Sequence, residues 1–130
     1  MRLFKLICVF LLCNLLLACS TYAPLRDENR KNIQLIKIGD TELNVVSKMG
    51  NAIGKGMEGD VTNPYKRESI KVNSSVYDIW YYYTEQVGNK NWEEGMTPVV
   101  FLNGKVEAIG WRGMERLGLD SNSSLTIRRR

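Results

Sequence analysis

Apolar positions fall into separate blocks along the chain, and each block has its own period. Residues 6–17 are apolar throughout except for Asn14. In residues 33–50 the apolar side chains Leu43, Val46 and Met49, with Val45 beside them, recur at the spacing of one helical face. Residues 76–84 read Val-Tyr-Asp-Ile-Trp-Tyr-Tyr-Tyr-Thr, types that fit a pleated surface. Val99 to Leu102 and residues 105–111 then flank Asn103-Gly104, the dipeptide favoured in a two-residue hairpin turn.

Local signals set the boundaries. Gly39-Asp40-Thr41-Glu42 punctuates the helical block, with Asp40 or Thr41 placed to cap free amides and Glu42 favourable at the positive end of the helix dipole. Gly50 stands where a left-handed stop belongs. Upstream, Ile33, Ile36 and Ile38 fit a helix and a strand equally well. Residues 51–75 are broken by Gly54, Gly56, Gly59 and Asn63-Pro64, so only residues 68–72 read as a strand. Gly54-Lys55-Gly56 lacks the spacing of a phosphate-binding loop and reads as a hairpin end.

In the closing hairpin, Phe101 is expected opposite Val106 and Val99 opposite Ala108, with all four on one face. Lys105 and Glu107 fall on the other face with Leu102 and Val100. In the aromatic strand Trp80 and Tyr82 point one way, and Ile79, Tyr81 and Tyr83 the other. Helices first and strands after predict an α+β fold, a two-layer sandwich of two N-terminal helices on a three- to four-stranded antiparallel sheet (ααβββ). One sheet face is then covered, and the other is open to water or to a partner.

The first block has a different role. Met1-Arg2-Leu3-Phe4-Lys5 precedes an apolar run too short for the roughly 20 residues of a spanning helix, the layout of a secretory leader. Its end, Leu16-Leu17-Ala18-Cys19, resembles the bacterial lipobox. That resemblance implies cleavage before Cys19, diacylglycerol on its sulfur and an acyl chain, such as palmitate, on the new amino terminus. Several acyl chains make a lasting anchor where one is marginal. Ser20, rather than aspartate, follows the cysteine, which among lipoproteins implies the outer membrane with the domain facing the periplasm.

Composition narrows the chemistry. The chain of 130 residues is 44% hydrophobic and 25% charged, ordinary for one domain. Cys8 and Cys13 leave with the leader and Cys19 carries lipid, so no disulfide is expected. There is no histidine, hence no imidazole zinc site and no His-assisted nucleophile. Glu93-Glu94 reads as a solvated pair. The expectation is therefore no catalytic residue, no metal and no small-molecule cofactor. Without Arg2 and Lys5 the formal charge falls from +4 to +2, and Arg128, Arg129 and Arg130 alone exceed that balance. A nucleic-acid partner wants a basic surface spread over the domain, and none is expected.

A family resemblance joins these pieces. Gly39-Asp40-Thr41-Glu42-Leu43-Asn44-Val45-Val46-Ser47-Lys48-Met49-Gly50 resembles the Gly-x-Thr-x₃-Val-x₄-Gly helix of the SmpA/OmlA (BamE-like) outer-membrane lipoproteins. Trp80-Tyr81-Tyr82 is similar to that family's Trp-x-Tyr strand, and Phe101 to Val106 to its closing hairpin. The chain departs from the pattern at Asp40, where methionine is usual, and at Ala52, where proline is usual. The resemblance implies the fold of the β-lactamase inhibitor proteins and an accessory role in the assembly of outer-membrane β-barrels. An inhibitor or small-ligand module on the same fold is the alternative.

The expected organisation is a leader over 1–18, a tether over 19–29, the domain over 30–113 and a flexible basic tail over 114–130. Cys19 is the expected membrane attachment through lipid. Trp80, Tyr81, Tyr82, Tyr83 and Trp92 are the candidates for contact with an envelope protein, since rigid aromatics anchor interfaces.

Overall fold

The computed structural model describes residues 23–51, 53–56, 59–85, 95–119 and 125–127. Helix α1 (Ala23–Asn32) runs through a 3₁₀ turn (Ile33–Leu35) towards α2 (Glu42–Met49). Strands β1 (Ile53–Gly56) and β2 (Gly59–Thr62) form a separate two-stranded sheet among the described residues. The main sheet is built from β3 (Lys66–Val72), β4 (Ser75–Tyr83), β5 (Met96–Leu102) and β6 (Lys105–Ile109). A third helix, α3 (Trp111–Arg116), follows, and the three-residue β7 (Leu125–Ile127) closes the edge in the order β6-β5-β4-β3-β7. Every pairing in the main sheet is antiparallel.

The α+β class and the antiparallel sheet match the sequence pattern, and several local signals act as expected. Thr41 caps α2 by accepting from the Asn44 N–H at 3.2 Å, and Gly50 ends the helix at a φ of 70°. Asp40 does not cap. Its carboxylate accepts from the Lys37 N–H at 2.7 Å and from the Lys48 ammonium at 2.5 Å. Asn103 and Gly104 both take positive φ, 51° and 75°, which is the type I′ turn that suits the twist of the two strands.

The order of elements differs from the simple ααβββ expectation in three places. The segment read as a tether is helical from Ala23, because Pro24 sits in the first turn, where its fixed φ and missing N–H favour initiation. Arg30 and Lys31 in the last turn complement the dipole. The chain beyond residue 113, read as a loose tail, instead puts Met114 and Leu119 into the core and returns as β7 along β3. The β1-β2 ladder is inserted between helices and sheet.

The sheet is buried on both sides, so the expected open face is corrected. On one side Ile36, Val45 and Met49 pack on Trp80, Tyr82, Val99, Phe101 and Val106. On the other, Met114 and Leu119 pack on Ile70, Ile79, Tyr81, Met96, Val100 and Ala108. Full burial of a Met or Leu side chain contributes about 1.5–3 kcal/mol, enough for a six-residue helix to hold its place.

A bulge decides the membership of these cores. Phe101 faces Val106 as expected, but the register shifts after it, so Val99 faces Ile109 and Val100 faces Ala108. The extra residue turns Ala108 to the face under α3, away from Val99.

The two ends of the sheet carry different structures. At one end, Tyr83 of β4 and Met96 of β5 lie near the amide pair that docks α1 and the end of α2. At the other lie the Asn73-Ser74 and Asn103-Gly104 turns and the start of α2, where the Glu42 N–H donates to the Gly104 carbonyl at 3.3 Å.

Candidate functional site

Of the side chains expected to meet a partner, four lie on β4. Alternation along the strand sends Trp80 and Tyr82 into one core and Tyr81 into the other, and Tyr83 is half-buried. Trp80 is 7% exposed, with Phe101 against it at a ring separation of 4.6 Å and the Arg67 guanidinium 4.2 Å above the ring. Tyr81 is 3% exposed; its hydroxyl donates to Glu68, and the Trp111 ring lies 5.8 Å away. Trp80, Tyr81 and Tyr82 build the two cores and present no free aromatic face, whereas Tyr83 is only partly buried against the second core. Cys19 and Trp92 lie outside the described residues.

Tyr82 stands apart. It is fully buried, and its hydroxyl has no hydrogen-bond partner. Burial drives the phenol well above its ordinary range, against a smaller opposing effect of the Arg67 charge.

A polar lock fixes α1 at the end of β4. Asn29 and Asn63 exchange amide hydrogen bonds of 2.9 and 2.7 Å, and each spends its remaining N–H on a backbone carbonyl, Tyr83 at 2.9 Å and Met49 at 3.0 Å. Buried amides are tolerated only when satisfied in this way. Arg30 reinforces the contact, donating to the Thr84 carbonyl at 3.1 Å and pairing with Glu85 at 2.9 Å.

No family model matches the chain, and neither a curated protein nor a solved structure does.

Among the described residues, an open groove lies at the β6 edge. Two backbone bonds of 2.8 Å, Gly39 N–H to Val106 carbonyl and Val106 N–H to Asp40 carbonyl, clip the turn before α2 to the edge strand. Ile38 is thereby held on the rim, 64% exposed. On the opposite wall α3 begins after Gly110, whose N–H reaches the Pro98 carbonyl at 2.8 Å. Gly113 lets the helix lie against Ala108, where an added Cβ would come within 2.9 Å of the Ala108 Cβ. Between these walls lies an open groove of about 490 Å³, lined by Ile38, Ala108, Ile109 and Leu117 with Glu107 and Arg116 at hand.

The groove lining is mixed, with apolar Ile38, Ala108, Ile109 and Leu117 beside one acidic and one basic side chain, Glu107 and Arg116. Among the described residues no group of three or more His, Cys, Asp or Glu could hold a metal ion, and no helix is long and apolar enough to cross a membrane.

The groove residues were not singled out from the sequence, although a signal was present. Trp111, Met114 and Leu117 recur every three residues between Gly110 and Gly118, the mark of a short helix with one apolar side.

Proposed function

We propose that the protein is a lipid-anchored, non-catalytic binding module of a bacterial outer membrane, facing the periplasm and serving as an accessory to β-barrel assembly. The observation that carries this reading is the short charged-then-apolar leader that closes at Leu17-Ala18-Cys19-Ser20. The capped helix ending at Gly50, the Trp80-Tyr81-Tyr82 strand and the Asn103-Gly104 hairpin support kinship with the SmpA/OmlA family. In this reading the domain is that family's two-layer ααβββ sandwich, with α3 added as a cover for the second face.

The partner contacts the β6 groove, where exposed Ile38 offers an apolar anchor and Glu107 and Arg116 offer charge.

Mass spectrometry of the amino terminus extracted from envelopes tests the anchor. A chain beginning at acylated Cys19 is expected, and an unmodified chain beginning at Met1 overturns the reading. Photo-crosslinkers at Ile38 and Arg116 test the partner. Adducts with a barrel-assembly subunit are expected, and adducts that never include one remove the assembly role.

A further inference from the structure

We propose that the end of the domain carrying the start of α1 and the Asn29–Asn63 lock rests against the bilayer, and that the Asn73-Ser74 and Asn103-Gly104 turns point away from it. The proposal rests on the lipid anchor at Cys19 and adds to it an orientation.

The argument begins with chain length. A tether over 19–29 would let the domain swing freely, but the chain is already helical at Ala23, and α1 is bound to the body by buried Leu25 and Asn29. Only Ser20, Thr21 and Tyr22 separate the anchor from the helix. Four residue steps reach at most roughly 14 Å when fully extended. A domain of this size has a radius of gyration of about 13 Å, so the stem is shorter than the body is wide.

The lock then identifies the end nearer the stem, because Asn29 follows Ala23 by six residues, about 9 Å of helix, less than half the strand length that separates the two ends. Asn29 binds the Tyr83 carbonyl at the last residue of β4, and Asn63 binds the Met49 carbonyl at the last residue of α2. Both contacts belong to the end of the sheet where Tyr83 pairs with Met96. The opposite turns lie a full strand away, about 20 Å for the seven residues of β5 at the usual rise. The start of α2 with Leu43, 77% exposed, lies at that far end beside Gly104. The stem thus sorts the surface into a side that meets lipid headgroups and a side that partners can reach.

The test uses the full-length lipidated protein in vesicles of phosphatidylethanolamine and phosphatidylglycerol, with headgroup spin-labelled lipid as a short-range quencher. Asp27→Cys places a fluorophore on exposed α1, and Ser74→Cys places one on the far turn. The Asp27 probe is expected to lose most of its emission while the Ser74 probe keeps it. Inserting about ten Gly and Ser residues after Tyr22 adds a reach of roughly 17 Å, which should restore emission at Asp27. Equal quenching of the two probes on protein that floats with vesicles and carries lipid on Cys19 overturns the orientation alone. Absence of lipid on Cys19 overturns the anchor and the orientation together.

Discussion

Gly113→Ala sets two effects of similar size against each other. In a helix, alanine is favoured over glycine by up to about 1 kcal/mol. Here, however, the new Cβ would sit 2.9 Å from the Ala108 Cβ, whereas carbon atoms attract best at about 3.5–4.0 Å. Relief must come from backbone, since Ala108 is fixed in β6 and α3 is held by buried Met114 and by the Trp111 indole, which donates to the Met96 carbonyl at 2.8 Å. Such overpacking costs about 1–3 kcal/mol, so a net loss of about 1 kcal/mol is expected. Ala108→Gly should itself destabilise by about 1–2 kcal/mol, through a lost buried methyl and a looser strand. In that background the space exists, and Gly113→Ala should stabilise. Urea titration of residues 20–130, followed by tryptophan fluorescence, measures all four corners of the cycle. A stabilising Gly113→Ala in the parent, or a coupling energy near zero, would refute the close approach of α3 to β6.

Other substitutions examine single features of the same core. Tyr82→Phe removes a buried hydroxyl without a partner, so stability should hold or rise by about 1 kcal/mol; a clear loss in a thermal melt would reveal a hydrogen bond to that hydroxyl. Because the folded phenol lies above its ordinary value of 10.0, the unfolded chain loses this proton first and stability falls as pH rises beyond that value. Tyr82→Phe should flatten that part of the alkaline profile. Asn29→Ala strands the Asn63 amide and the Tyr83 carbonyl, with an expected loss of about 2–4 kcal/mol, and a loss below 1 kcal/mol would dissolve the lock. The hydrogen bond from Lys48, followed by that from the Lys37 N–H, holds the Asp40 carboxyl below its ordinary 3.8. Its contribution is full above that value and fades as pH falls through the folded pKa. Asp40→Asn should therefore change stability at neutral pH more than in acid, and an identical difference at both would contradict the pairing.

The legible parts of the sequence are those whose physics is local. The Asn103-Gly104 turn, the Thr41 cap and the Gly50 stop each depend on a few neighbouring residues. Helix α1 was hidden because its sequence, Ala-Pro-Leu-Arg-Asp-Glu-Asn-Arg-Lys-Asn, is polar and its main anchor is an amide whose partner, Asn63, is 34 residues away. The bulge after Val100 has no residue that announces it, and it alone moves Ala108 from one core to the other. For β4 the alternation of side chains was readable, but whether both faces are covered depends on α3 and Leu119, which arrive from beyond the hairpin.

That second cover changes which surface the proposed binding role can use. With only the first helices in place, Tyr81 and Tyr83 would form a flat aromatic surface suited to a broad partner. With Met114, Leu119 and Trp111 over that face, Tyr81 is buried and Tyr83 half-buried, while Ile38 and Leu43 are among the apolar side chains left exposed. The edge strand is already clipped at Val106 by the Gly39 and Asp40 backbone, so added pairing along β6 is blocked where the clip sits. In the proposed reading, recognition through the groove therefore rests on side chains, with Ile38, Glu107 and Arg116 among those that line it.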